Sequence, residues 1–367
     1  MSVPYDLQSV PSTIKPLRSD FRWSPDLIDF SRHDAYAEQF RQRSLGRRVK
    51  AMGAYASRFA LLLAKRLIRY EMIPIEYRKG RDLGSRLGFL SYAARNAFDF
   101  SRLGGRKSRA PATDLDKAFN ERGIVALVMA PERFQELQGL ARPFFDKLEA
   151  RRGQGANRRE FMDSRGVTGR NVAPDLYAKI DQILIESGLK ATAENYLGRP
   201  VQLVDVNPQI NDRSDSFWRE VYTDIPDRQL SKTAYLHLDA SGGDLKVIFY
   251  FSPVGETNGP FSYAIGSNRM KLSLVDNLLA EANDHNGLSL TTPEARETFS
   301  ALPRKLQQKG LFGNDLPDDS PASREIVDAL WQVTGPAGSI VMFDTKGMHR
   351  GGMVEDGERR VLTCVLG

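Results

Sequence analysis

The 367-residue chain has a mass of 41.2 kDa and is 41% apolar and 27% charged, ordinary globular usage that excludes wholesale disorder, collagen-like repeats and coiled-coil rods. Its one cysteine, Cys364, rules out an internal disulfide, a Cys-based zinc site and a Cys-x-x-Cys redox motif. The net charge of +6 is split unevenly: residues 1–110 hold 22 Lys/Arg against 10 Asp/Glu, and the remainder holds 30 against 36.

Residues 1–30 contain four prolines and little periodicity, and read as an extended arm. No signal peptide opens the chain, and its longest apolar run, Phe59 to Ala64, is far too short to span a bilayer. With no disulfide, this leads to the expectation of a cytoplasmic protein. From about Ala35 to Phe100 the pattern is helical. Met52, Tyr55, Phe59, Leu62, Leu63, Leu67 and Ile68 recur at spacings of three and four, with Lys50, Arg58, Lys65, Arg66 and Arg69 between them. Such a basic amphipathic segment packs on the body or on another copy of the chain, or makes peripheral contact with an anionic membrane at its inner face; residues 35–100 are the segment concerned. Nucleic acid is not an expected partner, because the aromatic residues form no stacking platform with the cations. Residues 103–113 are rich in Gly, Ser, Pro and charge, and read as a linker. The expected division is a basic helical extension over 1–110 and a second domain over 111–367.

That second unit opens with a β-rich run, Gly123 to Met129, then a helix over Pro131–Arg151 and another over Asp175–Leu197. Strand patterns follow at Val201–Val206, Thr233–Leu238, Leu245–Phe251, Phe261–Ile265, Ser339–Phe343 and Arg359–Leu366. Residues 270–333 read as a lid-like insertion that includes Trp331. Short strands after a helical start predict an α+β protein built on a β-sandwich or barrel.

Four histidines are available to a metal: His33, His237, His285 and His349. In His237-Leu-Asp239, alternate residues of a strand project to one side, so an imidazole and a carboxylate can address one ion. His349 follows 112 residues later, after a turn and the apolar strand Ser339–Phe343. Two His and one carboxylate on one side of an ion make the facial triad of non-haem Fe(II) oxygenases, with the opposite coordination positions left open. Arg359 and Arg360 then begin the last strand. Only one of two adjacent residues faces inward, and a buried guanidinium requires an anion such as a small dicarboxylate.

Taken together, His237-x-Asp239, the distal His349-Arg-Gly-Gly, and Asn258-Gly-Pro-Phe-Ser-Tyr-Ala-Ile-Gly-Ser-Asn-Arg269 resemble the phytanoyl-CoA dioxygenase family of Fe(II)/2-oxoglutarate-dependent oxygenases. Phe119 to Val128 resembles the family's opening strand, and Ala337 to Asp344 the strand before its distal His. The resemblance covers roughly residues 115–367. It departs at Ile265, where the family has Pro, and at Asn268, where it has His. It implies a double-stranded β-helix (a jelly-roll, cupin-like core) with flanking helices. It implies Fe(II) on His237, Asp239 and His349, and 2-oxoglutarate on Arg359, with Arg360 as the alternative. O2 would be the oxidant, succinate the co-product, and hydroxylation of an unactivated C–H the reaction.

Within this picture Tyr235, Phe249, Phe251 and Tyr263 are candidates for apolar pocket walls. Arg213, Trp218, Arg219 and Tyr222 are candidates for contact with an acidic substrate. The substrate class expected is a small molecule or a glycan or lipid-linked precursor. Competing readings are a non-catalytic jelly-roll binding protein, and a membrane-docking protein acting through its basic extension. A homo-oligomer is compatible with the apolar stripe.

Overall fold

The computed structural model describes residues 5–21, 31–70, 73, 77–78, 80, 82–98, 110–153, 169–213, 232–233, 236–239, 244–270, 278, 293–307 and 318–367. Strand β1 (Tyr5–Leu7) lies in the arm, and helices α1 (Ser31–Gln42), α2 (Leu45–Leu67) and α3 (Leu83–Phe98) follow. Next come α4 (Asp114–Arg122), β2 (Ile124–Met129), α5 (Pro131–Gly153), α6 (Pro174–Glu186), α7 (Leu189–Leu197) and β3 (Leu203–Asp212). The last third holds β4 (Leu245–Tyr250), β5 (Phe261–Ala264), α8 (Pro293–Ser300), α9 (Arg304–Gln307) and α10 (Pro321–Ala329). It ends with β6 (Leu330–Val333), β7 (Ser339–Asp344), β8 (His349–Arg350) and β9 (Glu358–Leu366).

Two antiparallel sheets organise these elements, one of six strands in the order β1-β2-β7-β4-β9-β3 and one of three in the order β6-β5-β8. The central strands of the large sheet are buried on both faces, which is why β2 and β7 read as near-continuous apolar runs rather than alternating ones. On one face Leu127, Phe249, Met342, Leu362 and Cys364 pack on helical residues such as Leu137, Phe145, Tyr177 and Ile180. On the other face Ile124, Ile248, Tyr250, Phe343 and Val361 share an apolar layer with Phe261, Tyr263, Trp331 and Val333 of the small sheet. The mixed helix and antiparallel-sheet composition expected from the sequence is therefore observed.

The N-terminal arm is extended, and its Tyr5–Leu7 pairs with Leu127–Met129 as an edge strand of the large sheet. Leu17 and Phe21 of the same arm are buried against Leu236, Ile326 and Met348. Helix α4 starts in a capping box. The Thr113 hydroxyl accepts from Asp116 N at 3.1 Å, and Asp116 Oδ2 accepts from Thr113 N at 3.2 Å. Asp116 also accepts from Thr192 Oγ1 at 2.5 Å and Asn195 Nδ2 at 3.1 Å, which ties α4 to α7.

Four elements differ from the sequence reading. Of the strand expected over Thr233–Leu238, the described residues show only an isolated bridge at His237, with Thr233 in a turn. The helix expected over Asp175–Leu197 is two helices, broken at Ser187-Gly188, where Gly188 takes the left-handed φ of 77° that a side chain disfavours. The strand expected to stop at Val206 runs to Asp212 through Pro208. That proline is tolerated because β3 is the outermost strand of its sheet. Trp331, read as part of a lid, lies in β6 opposite Tyr263, so the end of the 270–333 segment belongs to the small sheet.

Candidate metal centre

His237 and His349 are brought together by backbone pairing. Each donates its N–H to the other's carbonyl at 3.0 Å in an isolated antiparallel bridge. Asp239, two residues on, donates its N–H to Thr345 O at 2.8 Å, which brings the His-x-Asp segment against the turn after β7. His349 is also the strand partner of Tyr263 on β5. Side chains from two segments 110 residues apart thus meet through a local hydrogen-bond ladder.

The donor atoms converge. His237 Nε2 lies 3.6 Å from Asp239 Oδ1, and His349 Nε2 lies 3.7 Å from Asp239 Oδ2. One donor atom from each residue falls within 4.8 Å of the other two. An ion held about 2.1 Å from three donors on one face needs them about 3 Å apart, so small side-chain rotations close the triangle. His349 Nδ1 lies 2.8 Å from Gly347 O. A proton on Nδ1 donates to that carbonyl and leaves the Nε2 lone pair directed at Asp239, the second-sphere arrangement that fixes a ligating imidazole. The donor set of two imidazole nitrogens and one carboxylate oxygen fits a first-row divalent metal with open positions.

Electrostatics favour the charge states a metal requires. Burial, then the neighbouring His237, push the His349 imidazole down from its ordinary 6.5 to about 3, so it is neutral at pH 7. For Asp239, burial alone would raise the carboxyl. Lys246, followed by the two imidazoles, outweighs it and holds the group well below 3.8. The Lys246 ammonium lies 2.5 Å from Asp239 Oδ2. Lys246 was not among the sequence-derived candidates. The signal was available: it is the one cation inside the buried strand Leu-Lys-Val-Ile-Phe-Tyr, and a half-buried cation needs an anion.

The metal-free protein should lose stability in mild acid. An unfolded histidine protonates near 6.5, whereas folded His349 resists down to about 3. Between those values the unfolded chain carries a proton the folded chain lacks, so stability falls as pH drops through 6.5. Asp239 acts only below the carboxylate range. Urea midpoints measured at about pH 7.5 and about pH 5 should differ in the wild type, and His349→Gln should flatten the difference.

The two Arg candidates separate. Arg360 points to the helix side, where it pairs with Glu149 Oε1 at 2.7 Å and Glu358 Oε1 at 2.5 Å. Arg359 is buried and donates from Nη2 to Asn211 Oδ1 at 3.3 Å. It alternates with Arg360 and shares a face with Val361, which belongs to the layer between the sheets. A Cβ added at Gly351, two residues past His349, would lie 3.5 Å from Arg359 Nη2. Asn211 was missed from sequence because the strand was ended before it.

Two glycine-bearing motifs meet backbone to backbone. A side chain on Gly259 of Asn258-Gly-Pro would fall 2.6 Å from Gly352 O, and one on Gly352 would fall 2.5 Å from Gly259 C. The loop leaving His349 can therefore lie on the loop entering β5 only when both positions are glycine. On the other side of His349, Ser267 Oγ accepts from Met348 N at 2.8 Å, which ties the turn entering β8 to the segment leaving β5. Gly352→Ala should cost about 2–3 kcal/mol of stability by overpacking against main chain. Thermal unfolding checks it, with Gly351→Ala, whose Cβ meets only the tip of Arg359, as the milder control.

The apolar surroundings also differ in part from expectation. Phe343 and Phe261 flank His349, with ring centroids 4.9 and 5.9 Å from the imidazole. Tyr263 lies in the layer between the sheets, but Phe249 and Phe251 face the helices, where Phe251 packs on Phe134 and Phe145. Arg213 is exposed just beyond β3. Tyr235, Trp218, Arg219 and Tyr222, and the histidine at 285, lie outside the described residues; of His33, only its place in α1 is described.

No protein-family model matches the chain, and no curated protein matches it. Among solved structures it is similar to the non-heme alpha ketoglutarate dependent carbocyclase SnoK from nogalamycin biosynthesis, at 12% identity over 72% of this chain and 87% of that one, with a TM-score of 0.37. EctD from S. alaskensis in its apoform aligns at 14% identity over 72% and 82%, with a TM-score of 0.38. The epimerase SnoN in complex with Fe3+, alpha ketoglutarate and nogalamycin RO aligns at 12% identity over 69% and 81%, with a TM-score of 0.36.

Proposed function

We propose that the protein is an Fe(II)/2-oxoglutarate-dependent oxygenase of the phytanoyl-CoA dioxygenase type, with a jelly-roll core, that hydroxylates a C–H bond of a polar small molecule or glycan. The observation that carries this is the convergence of His237, Asp239 and His349, with one buried arginine, Arg359, on the inner face beyond them. In this reading the three side chains hold iron on one face and leave the rest of its coordination open. Bound iron and 2-oxoglutarate would supply activation of O2 and oxidation of substrate carbon, with loss of CO2 to give succinate.

The chain's own residues do the placing. Arg359 pairs with the distal carboxylate of 2-oxoglutarate, held in orientation by Asn211. Phe261 and Phe343 keep water from the His349 side. The Gly347 carbonyl fixes the His349 tautomer. Lys246 balances the Asp239 charge before metal enters.

A polar substrate is supported by β3. Asn207, Gln209 and Asn211 alternate with Val206 and Ile210, which pack in the helix-side core. They pair in register with Thr363, Val361 and Arg359 and so share the inner face with them. A row of amides and a hydroxyl suits hydroxyl-bearing ligands better than an acyl chain. The test is anaerobic loading of the purified chain with Fe(II) and 2-oxoglutarate, followed by O2. Succinate should be released slowly without substrate and faster with the right one. No succinate, and no affinity for 2-oxoglutarate in the presence of metal, would overturn the reading.

A further inference from the structure

Helix α3 is apolar on the wrong side for a protein interior. Leu83, Leu87 and Leu90 are 72%, 58% and 61% exposed, and Ala94 continues the row. At 100° per residue these four positions fall within about 60° of one another, a narrow ridge along the outer face. Arg86 and Arg95, both exposed, flank it on either side. The opposite face is already occupied. Ala93 is buried, Phe89 packs on Tyr70 with centroids 6.1 Å apart, and Asn96 Nδ2 donates to Ile68 O at 3.1 Å. The ridge is therefore a surface in addition to the one that holds the helix in place.

Helix α2 also exposes apolar side chains, though not as one ridge: at 100° per residue Leu45, Val49 and Leu67 fall within about 40° of one another, and Leu61 lies about 120° from the nearest of them. Its inward residues Tyr55, Phe59, Leu62 and Leu63 form a small cluster, while Leu45, Val49, Leu61 and Leu67 are exposed. Between them α2 and α3 carry eight cations and no acidic residue, and Arg47 and Lys50 of α2 are exposed. Seven of the ten most exposed large apolar side chains among the described residues lie on these two helices, a concentration that scattered surface leucines do not give.

We propose that α2 and α3 form a docking surface for anionic phospholipid membranes. A convex leucine row with arginines on both flanks matches the layering of a bilayer interface, with acyl chains under the ridge and anionic headgroups level with the guanidinium groups. A second copy of the chain fits poorly, because it would bring a matching set of eight cations against one exposed acid at the start of α3, Asp82, which already accepts from Ser85. Among the described residues no helix is long and apolar enough to cross a membrane. This proposal is independent of the metal centre.

The test is flotation of the full chain with phosphatidylglycerol/phosphatidylcholine vesicles and with phosphatidylcholine vesicles alone. Binding to the anionic vesicles should be at least about 10-fold tighter and should weaken with salt. The triple change Leu83→Ser, Leu87→Ser and Leu90→Ser should lower it about 100-fold. Because all three side chains are exposed, far-UV circular dichroism and the unfolding midpoint should be unchanged. Arg86→Glu with Arg95→Glu should weaken anionic binding in the same assay. The proposal fails if the wild type does not float with anionic vesicles, or if the triple variant binds as the wild type does. It fails equally if the serines abolish a dimer seen by light scattering while vesicle binding is absent.

Discussion

Asp239→Ala should lower affinity for Mn(II) or Fe(II) at least ~100-fold and bring succinate release to background. The carboxylate is the one anionic donor of the triad, and its two oxygens face one imidazole each at 3.6 and 3.7 Å. Truncation removes a ligand and leaves Lys246 with its ammonium beside the vacated position, a cation where another cation must enter. Asp239→Asn keeps the shape but loses the charge, and should fall between the wild type and the alanine variant. His349→Ala should match Asp239→Ala in metal affinity, because its lone pair is already aimed by the Gly347 carbonyl. Titration calorimetry with Mn(II) checks all three. A variant series in which metal affinity barely moves would place the ion elsewhere.

Arg359→Ala should weaken 2-oxoglutarate binding by about 3 kcal/mol, roughly 150-fold, with metal affinity nearly unchanged. Arg360→Ala should change it by less than about 1 kcal/mol, because its partners Glu149 and Glu358 are partly solvated ion pairs on the helix side. Adjacent arginines on one strand thus become a built-in control, since alternation sends them to opposite faces. Arg359→Lys should recover only part of the loss, as a point charge lacks the planar fork. Equal effects from the two alanine variants would remove Arg359 from the proposed site.

Much of the site was legible because its parts are short and local. His237-x-Asp239 projects to one side, and the apolar Ser339–Phe343 run announces the strand that leads to His349. The pair Arg359-Arg360 stated that one member is inside, but not which; only register against Asn211 on β3 decides that. The strand pattern at Val201–Val206 stops short of Pro208, and an edge position that tolerates proline cannot be read from one strand. β1 and β6 were missed for a related reason. Three and four residues carry almost no periodicity, and each becomes a strand only through a partner more than sixty residues away. Gly188 was visible as a letter, yet the helical pattern on both sides concealed a break that depends on its left-handed backbone. The basic amphipathic pattern of α2 was plain, whereas the outward leucine row of α3 emerges only when its inner face is seen to be filled by Phe89, Ala93 and Asn96.

The most direct test of the metal centre is a crystal of the full chain soaked anaerobically in Mn(II) and measured at the manganese absorption edge. One anomalous peak is expected about 2 Å from His237 Nε2, His349 Nε2 and an Asp239 oxygen. A well-occupied peak away from these atoms, or none in crystals that show the same three side chains turned apart, would contradict the account.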